Sequence, residues 1–236
     1  MIPALVLLAT IVLLGVPAAL VYIPWTLLTG NVLPLYRTAM TIARTGLRLA
    51  GIRVQITGIE NVPSDRAVIF MANHVSNLDP PVLLPLIPGR TSIFLKQSLM
   101  RIPILGLGMR LGEFIPVARD GKPQNAQKNV RSAASLLARG THITVFVEGT
   151  RSRDGHLLPF KKGPFYLAQE SGALCLPVTI YGTASMMRKG SLRIFPATAH
   201  VTFHPPIHPA NYSTREALMT DVRHAIASAL PPDFQT

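Results

Sequence analysis

The sequence predicts an α/β protein: a layered, mostly parallel or mixed sheet with flanking helices, preceded by an N-terminal membrane-associated helical segment. Three observations carry this expectation. From Ile52 onward short β-rich runs alternate with helical stretches, the pattern of a layered sheet. No charged side chain occurs before Arg37. Polar residues able to do chemistry gather directly after the β-rich runs, where open α/β sheets hold their ligands.

The run Ile2 to Leu28 exceeds the ~20 apolar residues that cross a bilayer as a helix. Pro17 and Pro24 predict a kink or a turn back, which favours a segment that enters and returns within one leaflet over a straight crossing. Leu33 to Ala50 mixes Leu35, Ile42, Leu47 and Leu49 with Arg37, Arg44 and Arg48, as a helix lying at a membrane surface does, and its arginines favour the cytoplasmic face. The alternatives are a cleaved secretory signal, which would need a basic start and a small-residue cleavage site, and a greasy helix packed on a soluble core. Residues 1–50 are therefore expected to form an anchoring segment and residues 51–236 a single domain, with no repeat or long linker to divide it.

Within that domain strands are expected at Ile52 to Thr57, Ala67 to Met71, Thr91 to Leu95, Glu113 to Ala118, His142 to Val147, Leu174 to Tyr181 and Leu192 to Phe203. Helices fit between them at Pro80 to Ile87, Ile102 to Leu111, Gln124 to Arg139, Pro164 to Glu170 and Thr214 to Leu230, several opened by proline.

Composition narrows the function. The chain has 236 residues, 48% of them apolar and only 14% charged, which is far from the make-up of a disordered chain. Lys and Arg number 23 against 11 Asp and Glu, so a net charge of +12 should attract phosphate, whether on nucleic acid, on anionic lipid or on a metabolite. Nucleic-acid binding lacks a recognition motif or an aromatic platform, since aromatics make up 6%. The single cysteine excludes a disulfide-stapled fold and a Cys-based zinc cluster, and the apolar setting of Cys175 predicts a buried, unreactive strand thiol.

Four strand ends deliver candidates: Asn73-His74, Lys96, Arg119, and Glu148-Gly149-Thr150-Arg151. They form one site if those strands run parallel. His74 and Asp79 are spaced so that a loop entering a helix can close them into a hydrogen bond, which would make a base whose carboxylate fixes the imidazole tautomer. The other reading of the same residues is that Asp79 N-caps the helix opened by Pro80, with His74 an ordinary loop residue. The glycine turn 148–152 offers backbone N–H groups, and Arg151 a planar fork suited to phosphate; a solvated basic loop is the alternative. Other schemes fail on spacing. Gly106, Gly108 and Gly112 miss the dinucleotide fingerprint by one position, no nucleophile elbow or Walker lysine loop occurs, and His200, His204 and His208 sit on strand-like spacing that suits no metal.

Asn73-His74 with Asp79, Lys96 with Pro103 and Arg119, Glu148-Gly149-Thr150-Arg151-Ser152, and Leu176-Pro177-Val178 follow the order and approximate spacing of four motif blocks. The sequence resembles the glycerolipid acyltransferases over roughly residues 65–185, most closely the 1-acyl-glycerol-3-phosphate (lysophosphatidic acid) acyltransferases. It departs from many relatives at Val147, where they carry proline. The resemblance implies a lyso-lipid acceptor in the membrane and an acyl thioester donor, acyl-CoA or acyl carrier protein. It implies His74 as general base and Asp79 as its partner, Lys96 and Arg151 on the acceptor phosphate with Arg119 assisting, and Glu148, Gly149 and Thr150 shaping the acceptor pocket. No metal or prosthetic group is needed for an alkoxide to attack a thioester. Direct transfer is expected, since Ser76 is the only obvious nucleophile and adjacency to His74 rarely gives in-line geometry. Other lyso-lipids or glycerol 3-phosphate as acceptor, and a non-catalytic module binding an anionic membrane surface, are the competing expectations.

Overall fold

The computed structural model describes residues 1–118, 123–188 and 190–235. Helix α1 (Ile2–Thr29) runs through both prolines without a break. At 28 residues it is long and apolar enough to cross a membrane, and almost none of it is buried against the protein. The chain turns back at Gly30-Asn31, not at the prolines: Gly30 N–H closes onto the Thr26 carbonyl, and the Asn31 carboxamide oxygen accepts from Leu33 N–H at 3.0 Å to start helix α2 (Leu33–Leu49). Proline inside an apolar helix forfeits one backbone bond, whereas a left-handed glycine followed by an Asx turn reverses the chain outright. α2 then packs back along α1, closely enough that a Cβ at Gly46 would meet Leu7 at 2.8 Å. α2 also belongs to the domain core. Leu47 is buried in it, and the Tyr36 hydroxyl accepts from Thr91 N–H at 3.2 Å.

Seven strands form one sheet: β1 (Arg53–Thr57), β2 (Ile69–Ala72), β3 (Thr91–Lys96), β4 (Ile115–Val117), β5 (His142–Phe146), β6 (Cys175–Tyr181) and β7 (Thr198–Phe203), in the order β1-β7-β6-β2-β5-β3-β4. Strands β6, β2, β5, β3 and β4 are mutually parallel, and β7 joins antiparallel to β6 with β1 parallel to β7. The mixed, mostly parallel sheet is the predicted class. Alternation along β2 and β6 sends Phe70, Ala72, Leu176, Val178 and Ile180 to one face, under α2 and helix α3 (Asp79–Leu83). Ile69, Met71, Ile143 and Val145 face the other side, against α5 (Pro123–Ala138), α6 (Gly163–Ser171) and α8 (Arg215–Ser228).

Three elements differ from expectation. Pro85 converts the end of the first predicted domain helix into a 3-10 turn at Leu84–Leu86. The second predicted helix divides into a 3-10 turn, Gln97–Arg101, and α4 (Leu105–Leu111). The last predicted strand begins only at Thr198, because Phe195 N–H turns back to Met186 O and Pro196 offers no ladder donor. The short helix α7 (Thr183–Met186) was not expected. Pro177 survives inside β6 because that side of the strand is already interrupted. His204 N–H donates to its carbonyl, Cys175 pairs both ways with Ile207, and Pro205-Pro206 occupy the gap between. Cys175 is fully buried as predicted, and burial pushes its thiol up to about 12.

Candidate active site

Strands β2, β5, β3 and β4 are neighbours and parallel, so their carboxyl ends lie side by side at one edge of the domain. His74 follows β2, the 148–151 turn follows β5, and Lys96 ends β3. Arg119, expected after β4, lies outside the described residues. The sheet therefore brings His74, Lys96 and Arg151 to a common end, with Lys96 exposed and Arg151 half-buried.

His74 Nδ1 and Asp79 Oδ2 are 2.7 Å apart. Asp79 is fully buried, and the same Oδ2 accepts from the N–H groups of Val75 at 2.7 Å and Ser76 at 2.8 Å. Those amides precede the helix, and the N-cap position belongs to Leu78, so Asp79 folds the loop and does not cap the helix. Its other oxygen, Oδ1, accepts from the Thr183 hydroxyl. Four partners surround the carboxylate, which fixes its orientation and, through Nδ1, that of the His74 ring. The ring stacks on Phe146, centroids 4.1 Å apart and 20° from parallel, and stays 17% exposed.

The His74 backbone is gripped from both sides by the turn after β5. Glu148 Oε1 accepts from His74 N–H at 2.7 Å, and Ser152 N–H donates to His74 O at 2.8 Å. The second Glu148 oxygen accepts from Leu158 N–H at 3.0 Å. Glu148 is 1% exposed and points inward, so it acts on the site through the backbone and does not face an acceptor. Burial pushes its carboxyl up to about 7 against the pull of the two amide donors. Gly149 makes the turn in the left-handed region at φ 68°, with Gly149 and Thr150 exposed at the rim. Val147 donates to Ala72 O at 3.0 Å, one rung beyond β5, a bond that proline at this position would delete.

The supporting roles of three residues were invisible to motif reading. Asn73, quoted only as a motif member, is fully buried and bonds both ways with the Ile180 backbone: Nδ2 to O at 2.9 Å, and N–H to Oδ1 at 2.7 Å. Ser76 is buried and committed, its hydroxyl donating to Met187 O at 2.8 Å and accepting from Leu78 N–H. Thr183 follows no strand-end signature and sits 104 residues from Asp79.

Comparison with known proteins places the chain in a family. The acyltransferase family profile matches residues 53–181. A chloroplastic 1-acyl-sn-glycerol-3-phosphate acyltransferase of Arabidopsis thaliana is 35% identical over 181 residues, covering 75% of this chain and 49% of its own. One from Borreliella burgdorferi is 32% identical over 189 residues, covering 79% and 75%. The crystal structure of the 1-acyl-sn-glycerophosphate (LPA) acyltransferase of Thermotoga maritima superposes with a TM-score of 0.79 at 25% identity, covering 96% of this chain and 94% of that one. The chain spans about half the length of the plant relatives it matches. With more than half of its residues inside the profile and a bacterial relative matched over most of its length, the chain belongs to the acyltransferase family.

Proposed function

We propose that the protein moves a fatty acyl group from an acyl thioester to the free hydroxyl of lysophosphatidic acid, giving phosphatidic acid. The observation that carries this is the His74–Asp79 hydrogen bond at the carboxyl end of a parallel sheet, the end to which Lys96 and Arg151 also belong. His74 Nε2 takes the hydroxyl proton as the oxygen attacks the thioester carbonyl; a C–O bond forms, the C–S bond breaks, and the imidazolium returns the proton to the departing thiolate. The stack on Phe146 keeps water off one face of the ring. Transfer is direct, because the Ser76 hydroxyl is buried and already bonded. Acyl-CoA or acyl carrier protein serves as co-substrate, and no metal or prosthetic group enters the reaction.

Lys96 and Arg151 hold the acceptor phosphate, with Arg119 assisting. Purified protein offered lysophosphatidic acid, other lyso-phospholipids, lyso-ornithine lipid and glycerol 3-phosphate, each with acyl-CoA and with acyl carrier protein, should acylate lysophosphatidic acid fastest by mass spectrometry. Lys96→Ala and Arg151→Ala should each raise the acceptor KM about 10- to 100-fold with the donor KM little changed, and Arg151→Lys should not restore a bidentate grip. Equal losses toward donor and acceptor would move these cations to the donor side. No turnover of any acceptor, with lipid binding retained, would leave a non-catalytic module.

We infer that α1 anchors this chemistry at a membrane, with the domain on the cytoplasmic face, a reading supported by its length and by the arginines of α2. Removing residues 1–31 deletes α1 but keeps the buried residues of α2, and should shift the protein from the membrane fraction to the detergent-free soluble or aggregated fraction. Unchanged flotation with vesicles would assign membrane binding to another surface.

A further inference from the structure

We propose that Thr183 is a positioning residue of the base: its hydroxyl locks the orientation of the Asp79 carboxylate, and through it the tautomer and aim of His74. The inference rests on the base reading above, and it concerns a residue two positions beyond the family-matched region. A carboxylate is two-fold symmetric about its terminal torsion, which is broad and soft. Three donors converge on Oδ2, from His74, Val75 and Ser76. Only the Thr183 hydroxyl holds Oδ1 among the described hydrogen bonds. That bond makes the two oxygens inequivalent. Without it the carboxylate can rotate, share its oxygens among the three remaining donors and release Nδ1.

The local fold is built to deliver this hydroxyl. Gly182 carries φ 92°, and a Cβ there would meet Thr198 O at 2.5 Å, so the chain turns sharply off β6 and presents Thr183 at the start of α7. The same segment holds the 73–79 loop at two further points, Asn73 on Ile180 and Ser76 on Met187. Thr183 is fully buried, so its donor has no competing water. The 73–79 loop thus takes its register from residues 180–187.

Thr183→Val removes the hydroxyl at nearly constant shape, and Thr183→Ser keeps it. With full-length protein in detergent micelles, lysophosphatidic acid and acyl-CoA, Thr183→Val should lower kcat about 10- to 100-fold while the acceptor KM stays within about threefold; Thr183→Ser should stay within about threefold of wild type. In Thr183→Val the acid limb of the kcat–pH profile should move to lower pH, because an imidazolium released by the rotated carboxylate loses its stabilising anion; serine should restore it. Packing alone moves neither the pH limb nor the serine rescue. A wild-type kcat and pH profile in Thr183→Val, or serine as impaired as valine, overturns the proposal. His74→Ala in the same assay separates the two claims: more than about a tenth of wild-type activity there refutes the base, whereas a His74→Ala loss of about 10²-fold or more beside a normal Thr183→Val refutes Thr183 alone. If circular dichroism finds the valine variant unfolded, Thr183→Ala carries the same expectations.

Discussion

Replacing His74 by alanine is expected to lower turnover about 10²- to 10⁴-fold, the usual contribution of a positioned general base, with the fold unchanged. The imidazole packs on one face against Phe146 and is partly exposed, so its loss removes a stack and one hydrogen bond without opening the core. Asp79→Asn should cost about 10³- to 10⁴-fold, since the amide fixes the wrong tautomer. It should also lower stability, because an amide oxygen cannot serve all four donors now met by the carboxylate. Single-turnover measurements on folded variants check this. A folded His74→Ala enzyme keeping more than about a tenth of wild-type activity would refute the assignment of the base.

The second large effect is expected at Glu148. Alanine there leaves the partly buried amides of His74 and Leu158 without their acceptors. At about 1–3 kcal/mol for each unsatisfied group, the loss takes a substantial part of a typical 5–15 kcal/mol stability and frees the His74 backbone at once. Stability should also depend on pH in a direction opposite to most carboxylates. The folded value of about 7 lies above the ordinary 4.5, so the native state binds the proton more tightly than the unfolded chain. The stabilisation is full below about 4.5 and is lost as pH rises through about 7, a span of roughly 3 kcal/mol. Glu148→Gln, which cannot titrate, should erase that slope. Thermal unfolding between pH 5 and pH 8 gives the answer, and parallel slopes in wild type and Glu148→Gln would exclude Glu148 as its source.

The sheet was legible because β-rich runs between proline- and glycine-marked turns are a local signal, and all seven strands fall where those runs do. So was the delivery of His74, Lys96 and Arg151 to one end of the sheet, which needs only parallel strands. What escaped is non-local. Nothing near Thr183 announces a partner 104 residues upstream, and nothing near Glu148 tells an inward carboxylate from one facing a ligand. The N-terminal reversal was read from the prolines because proline is the stronger local breaker, while the actual turn depends on Gly30 and the Asn31 side chain together.

The position of β2 in the sheet sets the order in which the molecule can come alive during synthesis. Both of its neighbours, β5 and β6, are made later than β2 itself. The apolar helix leaves the ribosome ahead of the His74 loop, yet Glu148, Ile180 and Thr183 must all emerge before that loop has its native partners. Long-range pairings of this kind close late and slowly. A nascent chain in which α1 had already met a membrane would do so with the proposed base still unassembled, and the proposed chemistry would wait for the C-terminal third to be translated and docked.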